Sequence, residues 1–177
     1  MKERKKVSNS VVKRLPRYYR FLGEIKNSGM IRISSGELSR RMGLTASQIR
    51  QDLNNFGDFG QQGYGYNITD LHNEIGKILG VENKKKTILI GAGNLGNAIA
   101  AHMSFEKRGF DLIGIFDSNP SLTGKFIRGL KVKPVSQLDD FCKKEKPEVA
   151  VLCLPYEAAE KLTDKLYNAG IKNYWNF

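Results

Sequence analysis

The stretch Thr87-Ile-Leu-Ile-Gly-Ala-Gly-Asn-Leu-Gly96 constrains this chain more than any other. An apolar run of strand length ends in G-x-G-x-x-G, built from Gly91, Gly93 and Gly96. Ala98, Ile99 and Ala101 then give an apolar helical pattern, and a second apolar run closes on Asp117, 21 positions after Gly96. Strand, glycines, helix, strand and acid in this order point to a dinucleotide-binding βαβ unit. Gly91 permits a tight strand-to-helix turn, Gly93 lets the backbone approach a pyrophosphate, and Gly96 lets the helix pack closely on the strand. Ala92, Asn94 and Leu95 complete the loop, whose N–H groups and helix dipole attract phosphates. Asp117 stands where a carboxylate accepts hydrogen bonds from an adenosine ribose.

About eighty residues of a different kind precede this unit, and 177 residues allow one large or two small domains. The net charge is +11, and it is uneven: residues 1–80 hold 14 Lys/Arg against 7 Asp/Glu, residues 81–177 hold 15 against 11. A basic excess in the first part is expected of a domain that meets nucleic acid. No apolar run reaches the ~18 residues of a membrane span, and the polar, basic N-terminus is not a secretory signal. Cys142 and Cys153 make no metal or C-x-x-C spacing. Reduced thiols and a cytoplasmic location are expected.

In residues 1–80, Met1 to Asn9 lacks periodicity and reads as an arm. From Ser10 to about Asn27, Leu15, Tyr19, Leu22 and Ile25 recur at helical steps, with Lys13, Arg14, Arg17 and Arg20 on other faces. Ile31-Arg-Ile33 reads as a short strand. Ser34-Ser-Gly-Glu37 and Thr45-Ala-Ser-Gln48 are two capping boxes, with Gly43 between them as a helix C-cap. The first opens a helix carrying Leu38 and Met42 inward, the second one that buries Ile49, Leu53 and Phe56. Two short helices with a tight Gly-containing turn make a helix-turn-helix. The second helix of such a motif enters the major groove. Its outward residues, Ser47, Gln48, Arg50 and Gln51, include Arg for guanine and Gln for adenine. Four glycines and three aromatics between Gly57 and Tyr66 suggest a two-stranded wing with Gln61-Gln62-Gly63 at the tip and Tyr64 beside it. Phe59 and Tyr66 are expected to pack on the domain. A helix over 69–79 leads out to a linker at 81–86.

From Lys86 onward, strand-like runs at 87–91, 110–116, 130–133, 148–154 and 171–175 alternate with helical patterns at about 95–107, 136–145 and 157–169. This alternation predicts a parallel sheet covered by helices. Leu154, Pro155 and Tyr156 follow the fourth strand, on the ligand side of a doubly wound sheet. They are candidates for the nicotinamide end, where an apolar surface disfavours a cationic ring. His72 and His102 have no acid partner in sequence, and no nucleophile motif or metal spacing appears. Only about 90 residues form the nucleotide fold, which leaves no substrate domain, so a binding protein rather than an enzyme is expected.

Together these features resemble the redox-sensing transcriptional repressor Rex family. The resemblance runs through nearly the whole chain, most specifically in Leu15-Pro-Arg-Tyr-Tyr-Arg-Phe-Leu22, Gln48-Ile-Arg-Gln-Asp-Leu53, Phe56-Gly57, Gly63-Tyr-Gly-Tyr66 and Ile90-Gly-Ala-Gly-Asn-Leu-Gly96. It implies an α/β protein with a winged helix-turn-helix domain at 1–80, a linker at 81–86 and a Rossmann-like NAD(H)-binding domain at 87–177. It also implies a homodimer on palindromic operator DNA that NADH releases and NAD+ does not. The wing departs from the family pattern: Gln61-Gln62 occupy a tip that is usually basic. This moves charged phosphate contacts to Arg50 and to Arg14 and Arg17 of the first helix. Family members also continue past the strand at which this sequence stops, with another strand and a C-terminal helix that swaps into the partner. The rival readings are a DNA-binding regulator with a CoA-type nucleotide ligand and a fragment of an NAD-dependent oxidoreductase.

Overall fold

Apolar residues of the first helix recur at alternating steps of four and three, which puts one stripe of it inside. The computed structural model describes residues 8–55, 60–61 and 64–177, and the chain forms two compact units, Met1–Gly80 and Val81–Phe177. In the first unit, α1 (Asn9–Asn27) buries Val11, Leu15, Tyr18, Leu22 and Ile25. Tyr18, not Tyr19, completes the stripe. Tyr19 is half-buried and stacks on the His72 ring, with centroids 4.2 Å apart.

Strand β1 (Arg32–Ile33), helices α2 (Ser35–Met42) and α3 (Ala46–Asn54), strands β2 (Gly60–Gln61) and β3 (Gly65–Asn67), and helix α4 (Ile68–Leu79) follow. The three strands form an antiparallel sheet in the order β1-β3-β2. Strand β1 thus joins the wing hairpin, a pairing that local sequence does not reveal. Phe56, Gly57, Phe59, Gln62 and Gly63, read above as helix end and wing, lie outside the described residues. Leu15, Leu22, Leu38, Ile49, Leu53, Ile68, Leu71 and Ile75 share one core.

Each of the two predicted capping boxes is half made. Ser34 Oγ accepts from the Glu37 amide and Thr45 Oγ1 from the Gln48 amide, each at 3.1 Å. The reciprocal side chains do not reach back. The Glu37 carboxylate holds Arg40 and Arg41 instead, and these two guanidinium groups, Arg41's first, keep it below the usual carboxylate range. Gly43 ends α2 in the left-handed conformation, as read from sequence.

In the second unit, β4 (Lys85–Ile90), α5 (Asn94–His102), β5 (Phe110–Asp117), β6 (Phe126–Ile127), β7 (Leu130–Pro134), α6 (Leu138–Glu145), β8 (Val149–Leu152), α7 (Tyr156–Asn168) and β9 (Asn173–Asn176) follow in chain order. Strand β4 begins inside the expected linker, since Lys85 and Lys86 already pair with Phe110 and Asp111. Helix α5 stops at His102 and only a short 3-10 turn, Glu106–Arg108, follows, so the predicted helix to 107 is too long. Within α5, Ala100 is buried while Ala98 and Ala101 face out. The sheet order is β6-β7-β5-β4-β8-β9, parallel except for β6, which falls between the expected runs 110–116 and 130–133. Strand alternation separates two cores. Ile88, Ile90, Ala150 and Leu152 pack with Leu138, Cys142, Ala159 and Leu166 of α6 and α7. Leu89, Ile115 and Val151 pack on the other face with Ala100 of α5. The strand order reverses at β4, which places the switch-point crevice of an open α/β sheet outside its carboxyl end.

Candidate functional site

The β4–α5 turn has the shape its glycines require. Gly91 has φ +97°, and a Cβ there would lie 2.3 Å from the Cys153 carbonyl oxygen. A Cβ at Gly96 would lie 1.7 Å from the Gly91 carbonyl oxygen, so α5 packs on the turn only with glycine there. Gly93 caps the helix without a side-chain hydrogen bond, and a Cβ at Gly93 would meet nothing within 4 Å. Two glycines are therefore packed against protein and the third faces open space. Asn94 and Leu95 are exposed beside it, and Ala92 is buried.

Asp117 departs from the reading of it as a waiting ribose acceptor. It is 9% exposed. Its Oδ2 accepts from the Ala92 amide at 2.5 Å and its Oδ1 from the Asn119 amide at 2.7 Å. The carboxylate fastens the glycine loop to the end of β5, and each oxygen still has a lone pair for a further donor. On the other side, Leu154 Cδ2 would touch a Cβ at Gly91, at 3.0 Å. Leu154 thus sits against the loop, Pro155 caps α7, and Tyr156 is 75% exposed. A cleft of about 280 Å³ opens beside the loop, lined by Ala92, Gly93, Asn94, Asn97, Leu122, Lys125, Phe126, Ile127 and Val132. It lies on the β5–β7 side, away from Leu154–Tyr156. Leu122, Lys125 and Phe126, between the expected runs 110–116 and 130–133, were not singled out from sequence. Cys153 follows β8, and burial pushes its thiol up from the ordinary value. Among the described residues no cluster of His, Cys, Asp and Glu could hold a metal.

In the first unit the recognition helix α3 presents Ser47, Arg50 and Gln51 outward. Arg50 Nη1 donates to Ser35 Oγ at 3.0 Å, bridging the two helices of the motif on their exposed side. Gln48 is a correction. Its side chain turns inward, and Nε2 donates to Asp52 Oδ1 at 2.8 Å. Asp52, fully buried, also accepts from Arg14 Nε at 2.7 Å, Arg14 Nη2 at 2.8 Å and the Tyr18 hydroxyl at 3.0 Å. Burial raises the Asp52 pKa, but donors from Arg14, Gln48 and Tyr18 outweigh it and hold the group below its ordinary value. Arg14 is therefore a structural clamp between α1 and α3, contrary to its reading as a free phosphate ligand. The Arg17 guanidinium donates to the Met42 carbonyl at the end of α2, where a cation suits the helix dipole. Lys13 and Arg20 are exposed on α1. Tyr64 is 69% exposed, with the Arg32 guanidinium 6.0 Å from its ring centre. Gln61 pairs with Gly65 in the wing hairpin, and Gln62 lies outside the described residues.

A winged helix-turn-helix unit followed by a doubly wound unit with a glycine-rich turn defines a transcription regulator of the nucleotide-binding type. Residues 6–54 match the family described as "Putative DNA-binding protein N-terminus", and residues 82–177 match the "CoA binding domain" family. The redox-sensing transcriptional repressor Rex of Thermoanaerobacter pseudethanolicus is 54% identical over all of this chain and 79% of its own length. That of Clostridium novyi is 50% identical over all of this chain and 84% of its own length. The solved structure of the Rex-family repressor RSP with β-NAD+ and operator DNA matches 97% of this chain and 79% of that one, at 56% identity and a TM-score of 0.87. RSP with β-NADH matches 97% and 80%, at 52% identity and a TM-score of 0.85. The chain belongs to the family of redox-sensing transcriptional repressors Rex. Its relatives are named as regulators, which sets aside the oxidoreductase reading. Among the described residues no helix is long and apolar enough to cross a membrane.

Proposed function

We propose that this chain binds palindromic operator DNA as a homodimer in the cytoplasm, holds NAD+ or NADH on its second unit, and leaves the operator when NADH binds. The observation that carries the reading is the open face at Gly93, at a helix N-terminus without a side-chain cap, in a chain that also exposes a recognition helix. Ser47, Arg50 and Gln51 supply base contacts, with Gln48 limited by its bond to Asp52. Gln61, Gln62 and Tyr64 of the wing, with Lys13, Arg17 and Arg20, supply backbone contacts. Gly91, Ala92, Gly93, Asn94, Leu95 and Gly96 receive the pyrophosphate, and Asp117 shares its remaining lone pairs with the ribose.

Leu154, Pro155 and Tyr156 carry no charge, which favours neutral dihydronicotinamide over the cationic ring. Tyr156 is 75% exposed in one subunit, so this surface becomes dry only under cover from the partner. NADH shifts the dimer only by binding the DNA-incompetent arrangement more tightly. A ~100-fold change in operator affinity corresponds to a coupling of about 2.7 kcal/mol.

The test is fluorescence anisotropy of a labelled palindromic duplex at fixed salt, titrated with NADH and then NAD+, since phosphate contacts are salt-sensitive. Binding that NADH reverses and NAD+ spares is expected. Binding indifferent to both would refute redox sensing. A second reading, a CoA-type ligand, is favoured by the family match at residues 82–177. Melting shifts with NADH, NADPH and CoA separate the two.

A further inference from the structure

The cleft beside the glycine loop has one charged residue on its wall. Eight of its nine lining residues are apolar or neutral amides, and the ninth is Lys125. Lys125 is exposed, and among the described residues its ammonium group has no hydrogen-bond or ion-pair partner. Of the nearby cations, Arg128 donates to the Met103 carbonyl and to Glu106, Lys133 lies 4.2 Å from the centre of the Phe141 ring, and the exposed Lys131 does not line the cleft. The Lys125 backbone is fixed, since its N–H donates to the Leu122 carbonyl and its carbonyl accepts from Val132, at 3.2 and 2.8 Å. A lysine held by its backbone thus lines a cleft of about 280 Å³ together with the open edge of Gly93.

We propose that Lys125 is a positioning residue for the nucleotide, holding a phosphate of its adenosine half from the wall opposite the α5 N-terminus. The proposal rests on the nucleotide-binding role assigned above. Helix N–H groups and a lysine approach a diphosphate from two sides and meet its negative charge. The adenosine diphosphate half is the same in NADH and NAD+. Lys125 therefore sets how tightly the chain holds either form and has no part in telling them apart.

Lys125→Ala and Lys125→Arg, compared with the parent chain by titration calorimetry with NADH, NAD+, ADP and adenosine, test this. For Lys125→Ala, affinity for NADH, NAD+ and ADP falls by the same factor, roughly tenfold, the scale of one charge-assisted hydrogen bond. Adenosine binding stays unchanged, and Lys125→Arg restores most of the loss. Unchanged ADP affinity, or an equal loss with adenosine, would each overturn the role. If the parent chain bound none of these ligands, the nucleotide reading itself would fall, and this result is distinct from the others. Lys125 is exposed, and the melting temperature of each variant checks that it is folded.

Discussion

Removing the Arg14 guanidinium destabilises the first unit even without DNA. Asp52 is 0% exposed and, among the described residues, takes two of four hydrogen bonds from Arg14, at 2.7 and 2.8 Å. Breaking a buried pair by deleting one partner costs about 3–5 kcal/mol, because the remaining charge is stranded. Arg14 is 28% exposed, so water replaces part of the loss, and Tyr18 and Gln48 still donate. The cost for Arg14→Met is then about 2–3 kcal/mol, which for a unit of this size lowers Tm by roughly 10–20 °C. Calorimetry reads the change. The only tryptophan, Trp175, lies in the second unit, so the affected transition is the one its fluorescence does not follow. Pairing Arg14→Met with Asp52→Leu recovers much of the loss, since no charge is stranded. The sign with pH is fixed too. The Asp52 pKa is depressed in the fold, so its contribution is full above the ordinary carboxylate value near ~3.9 and fades as pH falls through it. The gap between parent and Arg14→Met must close in acid. A melting temperature within about 2 °C of the parent, with operator affinity lost, would refute the clamp and return Arg14 to the phosphates.

Three further outcomes follow from the geometry. Gly96→Ala puts a Cβ 1.7 Å from the Gly91 carbonyl oxygen, so NADH no longer raises the melting temperature and the second unit melts earlier, as Trp175 fluorescence reports. Arg50→Ala leaves melting nearly unchanged but weakens operator binding by about 1–3 kcal/mol and relaxes preference at one base pair, read by anisotropy across a set of operator variants. His72 has a buried Nδ1 without a hydrogen-bond partner among the described residues, and burial lowers its pKa despite Asn73. Its neutral form is the folded one, so its contribution is full above the ordinary value near ~6.5 and is lost as pH falls below it. His72→Phe keeps the stack on Tyr19 and removes this acid sensitivity between pH 7.5 and 5.5, checked by thermal melts at the two values.

Local chemistry was legible wherever neighbours in sequence are neighbours in space. The glycine turn, the Ser34 and Thr45 caps and the stripe through Leu15, Leu22 and Ile25 depend on spacings of a few residues, and all were read in place. The failures lie where distant residues decide. Tyr18 rather than Tyr19 points inward because its hydroxyl meets Asp52, 34 positions away. Gln48 carried two plausible jobs in sequence, cap and base contact, and the buried carboxylate assigns it a third. Arg14 sits in a row of basic residues, and only the position of α3 separates it from Lys13 and Arg20. Strand β6 has two residues and no alternation to reveal it. Asp117 was read only as a ribose acceptor, because its bond to the Ala92 amide depends on how β4 and β5 are paired.

The Asp52 cluster also bears on how such a reader is switched. Four donors from α1 and α3 converge on one carboxylate, and α1 and α4 bury their apolar stripes in the same core. The recognition helix is bolted to the frame that carries it. A reading head this stiff has little freedom to retract a single side chain from a base. Under the function proposed above, its setting would change by tilting the head as a whole. In the proposed dimer on a palindrome, two heads would meet major grooves about 34–36 Å apart, so a small change of pitch between them would put one out of step with the other.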